Sequence, residues 1–270
     1  MLKLQTIGSD PEFFIRKKKD GTYMPSSLIT SGTKFAPEEA GTKGFLIHKD
    51  NLTVEGNIPP SKNKEEFIHS MKFLKNIINT IAEIKGCEIV CEDSVEFKNR
   101  FLDLEDAKEF GCSGFFNSWD SQLREIETPK LETNKRVAGF HLHLGYKFDE
   151  SKFGMGEIAK AIGRAYDLFV VLPSDEIKYD EFRRNNYGSY GSIRIKSYGV
   201  EVRALGSYFA NDEYLDWVYD QVIKMFDWLN IEGNIEKILS FDNVGDSDIR
   251  SNLYEVKNKL KIEEKVKCTI

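Results

Sequence analysis

The chain has little of what marks several large protein classes. Its 270 residues contain only four cysteines, Cys87, Cys91, Cys112 and Cys268. None stands at Cys-x-x-Cys spacing, so neither a zinc ribbon nor a disulfide framework is indicated, and the four are read as reduced thiols. Positive charge is not in excess: 38 Lys and Arg against 44 Asp and Glu give a net charge of -6, which argues against a general nucleic-acid surface. The basic stretches Arg16–Lys19 and Lys257–Lys267, the second interleaved with acids, read as solvated surface. No apolar run approaches the roughly 20 residues of a membrane span, and Met1–Arg16 lacks the basic-then-apolar layout of a signal peptide. No nucleic acid and no membrane are therefore expected as partners, and a cytoplasmic location is. There is no repeat, low-complexity tract or Pro/Gly/Ser-rich linker to divide the chain. A single domain over residues 1–270 is expected, large enough to bury its own core.

What is present is alternation interrupted by helical stripes. Leu2–Arg16 reads as one or two strands broken near Gly8, with Asp20-Gly21 marking a hairpin turn. Phe45–Ile58 reads as strand and turn, ended by Pro59-Pro60 because proline cannot donate to a ladder. Ser61 is the expected N-cap of a helix whose stripe, Phe67, Met71, Leu74, Ile78 and Ile81, runs to about Lys85. Cys87–Phe97, Arg136–Phe148 and Ser192–Ser207 read as strands. Glu157–Leu172 carries the stripe Ile158, Ile162, Ala165, Phe169. From Asp212 the positions Tyr214, Trp217, Val218, Val222, Met225 and Leu229 open a helical C-terminal segment at about 212–270. The sum is an α+β protein with a mainly antiparallel sheet and helices packed outside it.

The chemistry lies in the strands. Successive strand side chains point to opposite faces, so Asp10 and Glu12 share a face, as do Thr53 and Glu55, His141 and His143, Arg194 and Lys196, and Glu201 and Arg203, each pair opposite apolar neighbours. Any one pair is the ordinary outer face of a half-exposed sheet. Taken together they gather carboxylates, imidazoles and guanidinium groups on one face, at a cost in repulsion and desolvation that ions or ligands would offset. Carboxylates dominate and thiolates are absent from these strands, which suits Mg²⁺ or Mn²⁺ better than zinc. Arginine adds a fork of donors matched to phosphate or carboxylate. Tyr187–Gly191, reading YGSYG, is a weaker candidate for a loop over a nucleotide.

Four motifs in order, GSDPEFF (Gly8–Phe14), DNLTVEGNIPP (Asp50–Pro60), GFHLHLG (Gly139–Gly145) and RRNNYGSYGSIRIKSYGVEVR (Arg183–Arg203), resemble the glutamine synthetase and γ-glutamylcysteine ligase superfamily, most closely its phage-type carboxylate-amine ligases. The resemblance runs from residue 8 to about 207. It implies a curved antiparallel sheet that binds ATP and two or more Mg²⁺ or Mn²⁺ ions. It also implies metal ligation by Asp10, Glu12, Glu55, His141 and Glu201, with Asp50 as a substitute for a further acid that has no clear counterpart. His143 and Lys196 would lie with the nucleotide, Arg194 on phosphate, and Arg203 on the carboxylate substrate or transferring group. A second phosphate-binding arginine, expected at the place of Ser189, would be replaced by Arg183 or Arg184. Catalysis would rest on Arg194, Arg203 and Glu201.

Such a ligase joins a small-molecule or peptide carboxylate to an amine through an acyl phosphate, in the host cytoplasm if the gene is phage-borne. Relatives form rings, and a homo-oligomer is left open. Two rival readings stay beside it: a phosphagen-kinase-like phosphotransferase and a catalytically silent structural relative, the latter favoured slightly by Ser189.

Overall fold

Alternation in the first residues produces one long strand, not two. β1 runs unbroken through Lys3–Lys17, and the break expected near Gly8 is replaced by register shifts against its neighbours at Leu4/Thr6 and Ile7/Ser9. The computed structural model describes residues 1–108, 114–124, 133–241, 244 and 248–262. Cys112, Cys268 and the last part of the helical C-terminal segment lie outside the described residues.

After β1 the strands are β2 (Tyr23–Met24), β3 (Glu38–Glu39), β4 (Leu46–Asp50), β5 (Thr53–Ser61), β6 (Cys87–Val90), β7 (Ser94–Glu96), β8 (Phe115–Asn117), β9 (Leu123–Arg124), β10 (Lys135–Val137), β11 (Phe140–Lys147), β12 (Ser192–Lys196) and β13 (Gly199–Val202). Eleven of them form one sheet in the order β3-β4-β5-β1-β11-β13-β12-β8-β9, with β2 and β6 paired to β1. The pairings are antiparallel. β1 serves two sets of partners: its first part lies between β5 and β11, while Phe14–Lys17 pairs with β6. The hairpin expected at Asp20-Gly21 joins β1 to β2, with Gly21 at φ +70. β7 and β10 make a separate pair. The sequence ranges 87–97 and 136–148, read as one strand each, are thus two short strands apiece.

Two local expectations are corrected. Pro59 and Pro60 do not end β5, which continues to Ser61. The ladder with β4 stops at Asn57, so beyond it the prolines have a partner strand on one side only, where a missing N–H costs little. The helix that follows, Lys64–Ile84, is capped by Asn63 rather than Ser61: the Asn63 side chain accepts from the Glu66 N–H at 2.9 Å, and Glu65 and Glu66 in its first turn suit the positive helix end. Its buried face of Phe67, Met71, Leu74 and Ile78 packs on β5 and β6. Gly56 permits that approach, since a Cβ there would lie 2.6 Å from Leu74 Cδ2.

Helices Met155–Tyr166 and Asp212–Leu229 complete the layer, burying Ile158, Ile162 and Ala165 from one and Tyr214, Val218, Val222, Met225 and Leu229 from the other. The first runs on through a π-helical turn, Asp167–Val171, into Leu172–Ile177. The core thus sits between this helical layer and the apolar sheet face carrying Phe13, Val54, Leu142, Leu144, Ile193, Val200 and Val202. Each buried aliphatic or aromatic side chain contributes about 1.5–3 kcal/mol. The architecture is α+β, a large antiparallel sheet with helices outside it. No described helix is long and apolar enough to cross a membrane.

Candidate metal and phosphate site

The register of four ladders collects the expected residues on the face away from the helices. Asp10 is paired with His141 and Glu12 with Glu55. His143 and Arg194 are both paired with Glu201, from the two sides of β13. Residues paired across a ladder point to the same face, so seven side chains from five strands converge without any loop being required. Asp10, Glu55, His141, Arg194 and Glu201 line a cleft of about 330 Å³ that also takes in Lys34, His48, Asp50, Tyr187, Lys196 and Arg203. The face is not the solvated surface that alternation alone would suggest. Asp10 is 9%, Glu12 2%, His141 2%, Glu201 1% and Arg203 3% exposed.

Two groups of candidate ligands lie side by side. In the first, ligand atoms of Asp10, His141 and Glu201 are all within 4.8 Å of one another. Burial would push the Glu201 carboxyl up, but Arg203, Arg194 and Lys196 outweigh it and hold Glu201 well below the usual carboxylate range. Lys196 Nζ stands 2.8 Å and Arg194 3.4 Å from its oxygens, and Arg203 forms a tight pair with it. His141 is pushed far down by burial and by the nearby Arg203, so its ring is neutral. Its Nε2 is buried without a hydrogen-bond partner, and a Cβ at Gly139 would collide with that atom. A neutral imidazole with an unclaimed nitrogen among carboxylates is the form in which histidine binds a cation. His143 lies 2.9 Å from Asp10 Oδ1; burial opposes its charge, but Asp10 prevails and its pKa is raised.

In the second group, Glu12, Asp50 and Glu55 oxygens fall within the same 4.8 Å limit. Here burial and like charge act together. Glu12 is raised well above its ordinary value by burial, Asp50 and Glu55, although Gly139 N–H donates to its Oε2 at 2.7 Å. Glu55 is pushed up to about 7 by burial and by Asp10 and Asp50, with His48 opposing. A divalent cation is the simplest group that would relieve three neighbouring carboxylates, one buried and two half-buried. The donor chemistry of both groups therefore fits a hard divalent ion, and Asp50 stands where the second group needs its third acid.

The arginines divide sharply. Arg194 and Arg203 face the cleft. Arg183 does not: it is 2% exposed, and its guanidinium donates to the carbonyls of Ala138, Ala204, Arg203 and Leu205 at 2.7–3.2 Å. Arg184 bonds Asp175 Oδ1 at 2.5 Å and the Ala204 carbonyl at 2.8 Å, and lies over the Tyr190 ring. The phosphate-binding expectation for these two is corrected, because the Arg183 donors go to backbone carbonyls and the terminal nitrogens of Arg184 go to the Gly188 and Ala204 carbonyls and to Asp175. They brace the loop from which Tyr187 reaches the cleft. The Tyr187 hydroxyl donates to Glu12 Oε1 at 3.2 Å and accepts from Arg203 at 2.9 Å, linking the two ligand groups. Ser189 pairs with Ser192.

Lys34 and His48 line the cleft and were both missed from the sequence. His48 on β4 is paired with Glu55, and its Nε2 lies 3.4 Å from Glu55 Oε2. A countable signal existed: β4 and β5 are joined by the two-residue turn Asn51-Leu52, with Asn51 at φ +52, so counting outward from that turn places residue 48 opposite residue 55.

No protein-family model matches the chain, and none of the curated proteins matches it. Among solved structures it is similar to GmaS in complex with ADP, at 12% identity and a TM-score of 0.43 over 96% of this chain and 69% of that one. It is also similar to apo GmaS without ligand, at 12% and 0.42 over 95% and 67%, and to a novel glutamine synthase homolog, at 12% and 0.33 over 96% and 66%. Likeness at this level carries no argument about chemistry, which rests on the residues of the cleft.

Proposed function

We propose that this chain is an ATP-dependent carboxylate-amine ligase, joining a small-molecule or peptide carboxylate to an amine through an acyl phosphate. The observation that carries the reading is the pair of ligand groups, Asp10/His141/Glu201 and Glu12/Asp50/Glu55, set beside Arg194, Lys196 and Arg203 on one buried sheet face. The motif resemblance supports it. Each group would hold one Mg²⁺ or Mn²⁺ ion, and the ions would supply neutralisation of phosphate charge.

The protein's own residues do the rest. Lys196, Arg194 and Arg203 all pair with Glu201. With a cation held by Glu201, Arg194 and Lys196 would serve as donors for phosphate oxygens, and Arg203 for the carboxylate or the moving phosphoryl group. A carboxylate lacks a usable leaving group, so the γ-phosphoryl is transferred to it first. The amine then attacks the acyl carbon and phosphate departs. Asp10 fixes the His143 ring through its 2.9 Å contact with Nε2, and the ring would lie beside the phosphates. The burial of the face excludes water, which would otherwise hydrolyse the acyl phosphate.

A screen of amino acids, polyamines and peptides for ADP release identifies the substrates. With the carboxylate then labelled with ¹⁸O, the ligase reading predicts one labelled oxygen in the phosphate released. Unlabelled phosphate beside amide product refutes the acyl phosphate. A stable phosphorylated product without free phosphate assigns the chain to nitrogen phosphorylation instead.

A further inference from the structure

His48 has no place in the proposed reaction, yet it is built like a ligand. It is 5% exposed, and neither ring nitrogen makes a hydrogen bond. The 3.4 Å approach of Nε2 to Glu55 Oε2 is longer than an ordinary N–H···O hydrogen bond. A buried, unsatisfied polar group costs about 1–3 kcal/mol, and an apolar residue of similar size would avoid that cost if packing were the only task. The ring also lines the cleft together with Asp50 and Glu55. Two residues apart on β4, His48 and Asp50 share a face, and that face meets Glu55 across the ladder.

We propose that His48 is a cation ligand entering from beside Glu55, at the edge of the Glu12/Asp50/Glu55 group, and that the resulting imidazole and carboxylate site takes Mn²⁺ in preference to Mg²⁺. The inference rests on the cation sites of the proposed function and concerns which ion occupies one of them. An all-oxygen set suits Mg²⁺, which keeps its waters and gains little from nitrogen donors. An imidazole adds affinity for first-row transition cations, following their general order of ligand strength. With His141 in the neighbouring group, each of the two cation positions then carries one nitrogen and a majority of carboxylate oxygens.

The test uses the full chain and the metal alone, without nucleotide. Calorimetric titration with Mn²⁺ and separately with Mg²⁺ compares wild type with His48→Gln. The expected result is a loss of roughly tenfold to a hundredfold in Mn²⁺ affinity at one position, with Mg²⁺ affinity changed far less. The direct readout is pulsed electron paramagnetic resonance of bound Mn²⁺ in His141→Gln, where that imidazole is gone. Nitrogen modulation must persist there and vanish in His141→Gln/His48→Gln, with thermal melts confirming that each variant is folded. Modulation absent from His141→Gln, or equal Mn²⁺ affinity in wild type and His48→Gln, overturns the inference while leaving the ligase reading intact. Failure of the wild type to bind either cation overturns both.

Discussion

Around Glu201 three cations converge, whereas Glu12, Asp50 and Glu55 face one another with His48 beside Glu55. The first group is buried and the second half-buried on the same sheet face, and both offer three ligands to an ion. Their unliganded states differ. The first is internally neutralised, so Glu201 stays ionised without help. The second is repulsive, so Glu12 and Glu55 hold protons more tightly than ordinary carboxyls. Burial sets the cost of a charge, and the charges within a few ångströms decide whether that cost is met by the protein or left to a ligand.

The largest effect should come from breaking the neutralised group. Arg203→Ala leaves Glu201 buried beside weaker partners, and loss of one member of a buried pair costs about 3–5 kcal/mol. In a chain of this size that is a fall of roughly 10 °C in Tm. A melt within a degree or two of wild type would show that Arg194 and Lys196 suffice.

The repulsive group is sharpened by pH. Glu55 has a folded pKa near 7 against an ordinary 4.5. Its contribution to stability is therefore fully present below about pH 4.5 and lost as pH rises through 7, a change on the order of 3 kcal/mol. His48 and His143, both raised from their ordinary value, also respond to pH, so the quantity to measure is a difference. In EDTA, wild type should lose stability relative to Glu55→Gln between pH 5 and 8. Parallel curves for the two proteins would remove the claim of repulsion. Glu201 has the opposite sign, its contribution being present at neutral pH and lost as pH falls below the usual carboxylate range.

Addition of Mn²⁺ at pH 8 should raise the Tm of wild type by several degrees, and that of Glu55→Gln by less, because the variant has less repulsion to relieve and one ligand fewer. Equal shifts would place the ion elsewhere. The smallest effect belongs to the link between the groups. Tyr187→Phe removes the hydroxyl bonded to both Glu12 and Arg203, and should cost about 1 kcal/mol in chemical denaturation.

Much of this was legible before the fold was known, because strand alternation is a local property. Asp10 with Glu12, His141 with His143, and Arg194 with Lys196 could be assigned to faces by counting, and the ladders brought those faces together. What counting could not supply was the fate of each side chain beyond its own strand. Arg183 and Arg184 carry the right chemistry for phosphate, but carbonyls freed at Ala138 and at Ala204–Leu205 take their donors. The strand end at Pro59-Pro60 failed for a related reason: a proline's cost depends on whether a neighbour lies on its N–H side. His48 was hidden because its meaning lies in the β4–β5 register, not in its own sequence neighbours.

The central claim is that divalent cations on this face link ATP to the protein, and one calorimetric experiment reaches it most directly. Titrating ATP into the chain with Mg²⁺ or Mn²⁺ should give saturable binding, which disappears in EDTA and collapses in the Asp10→Ala/Glu12→Ala variant. Nucleotide affinity undiminished in EDTA would contradict the account.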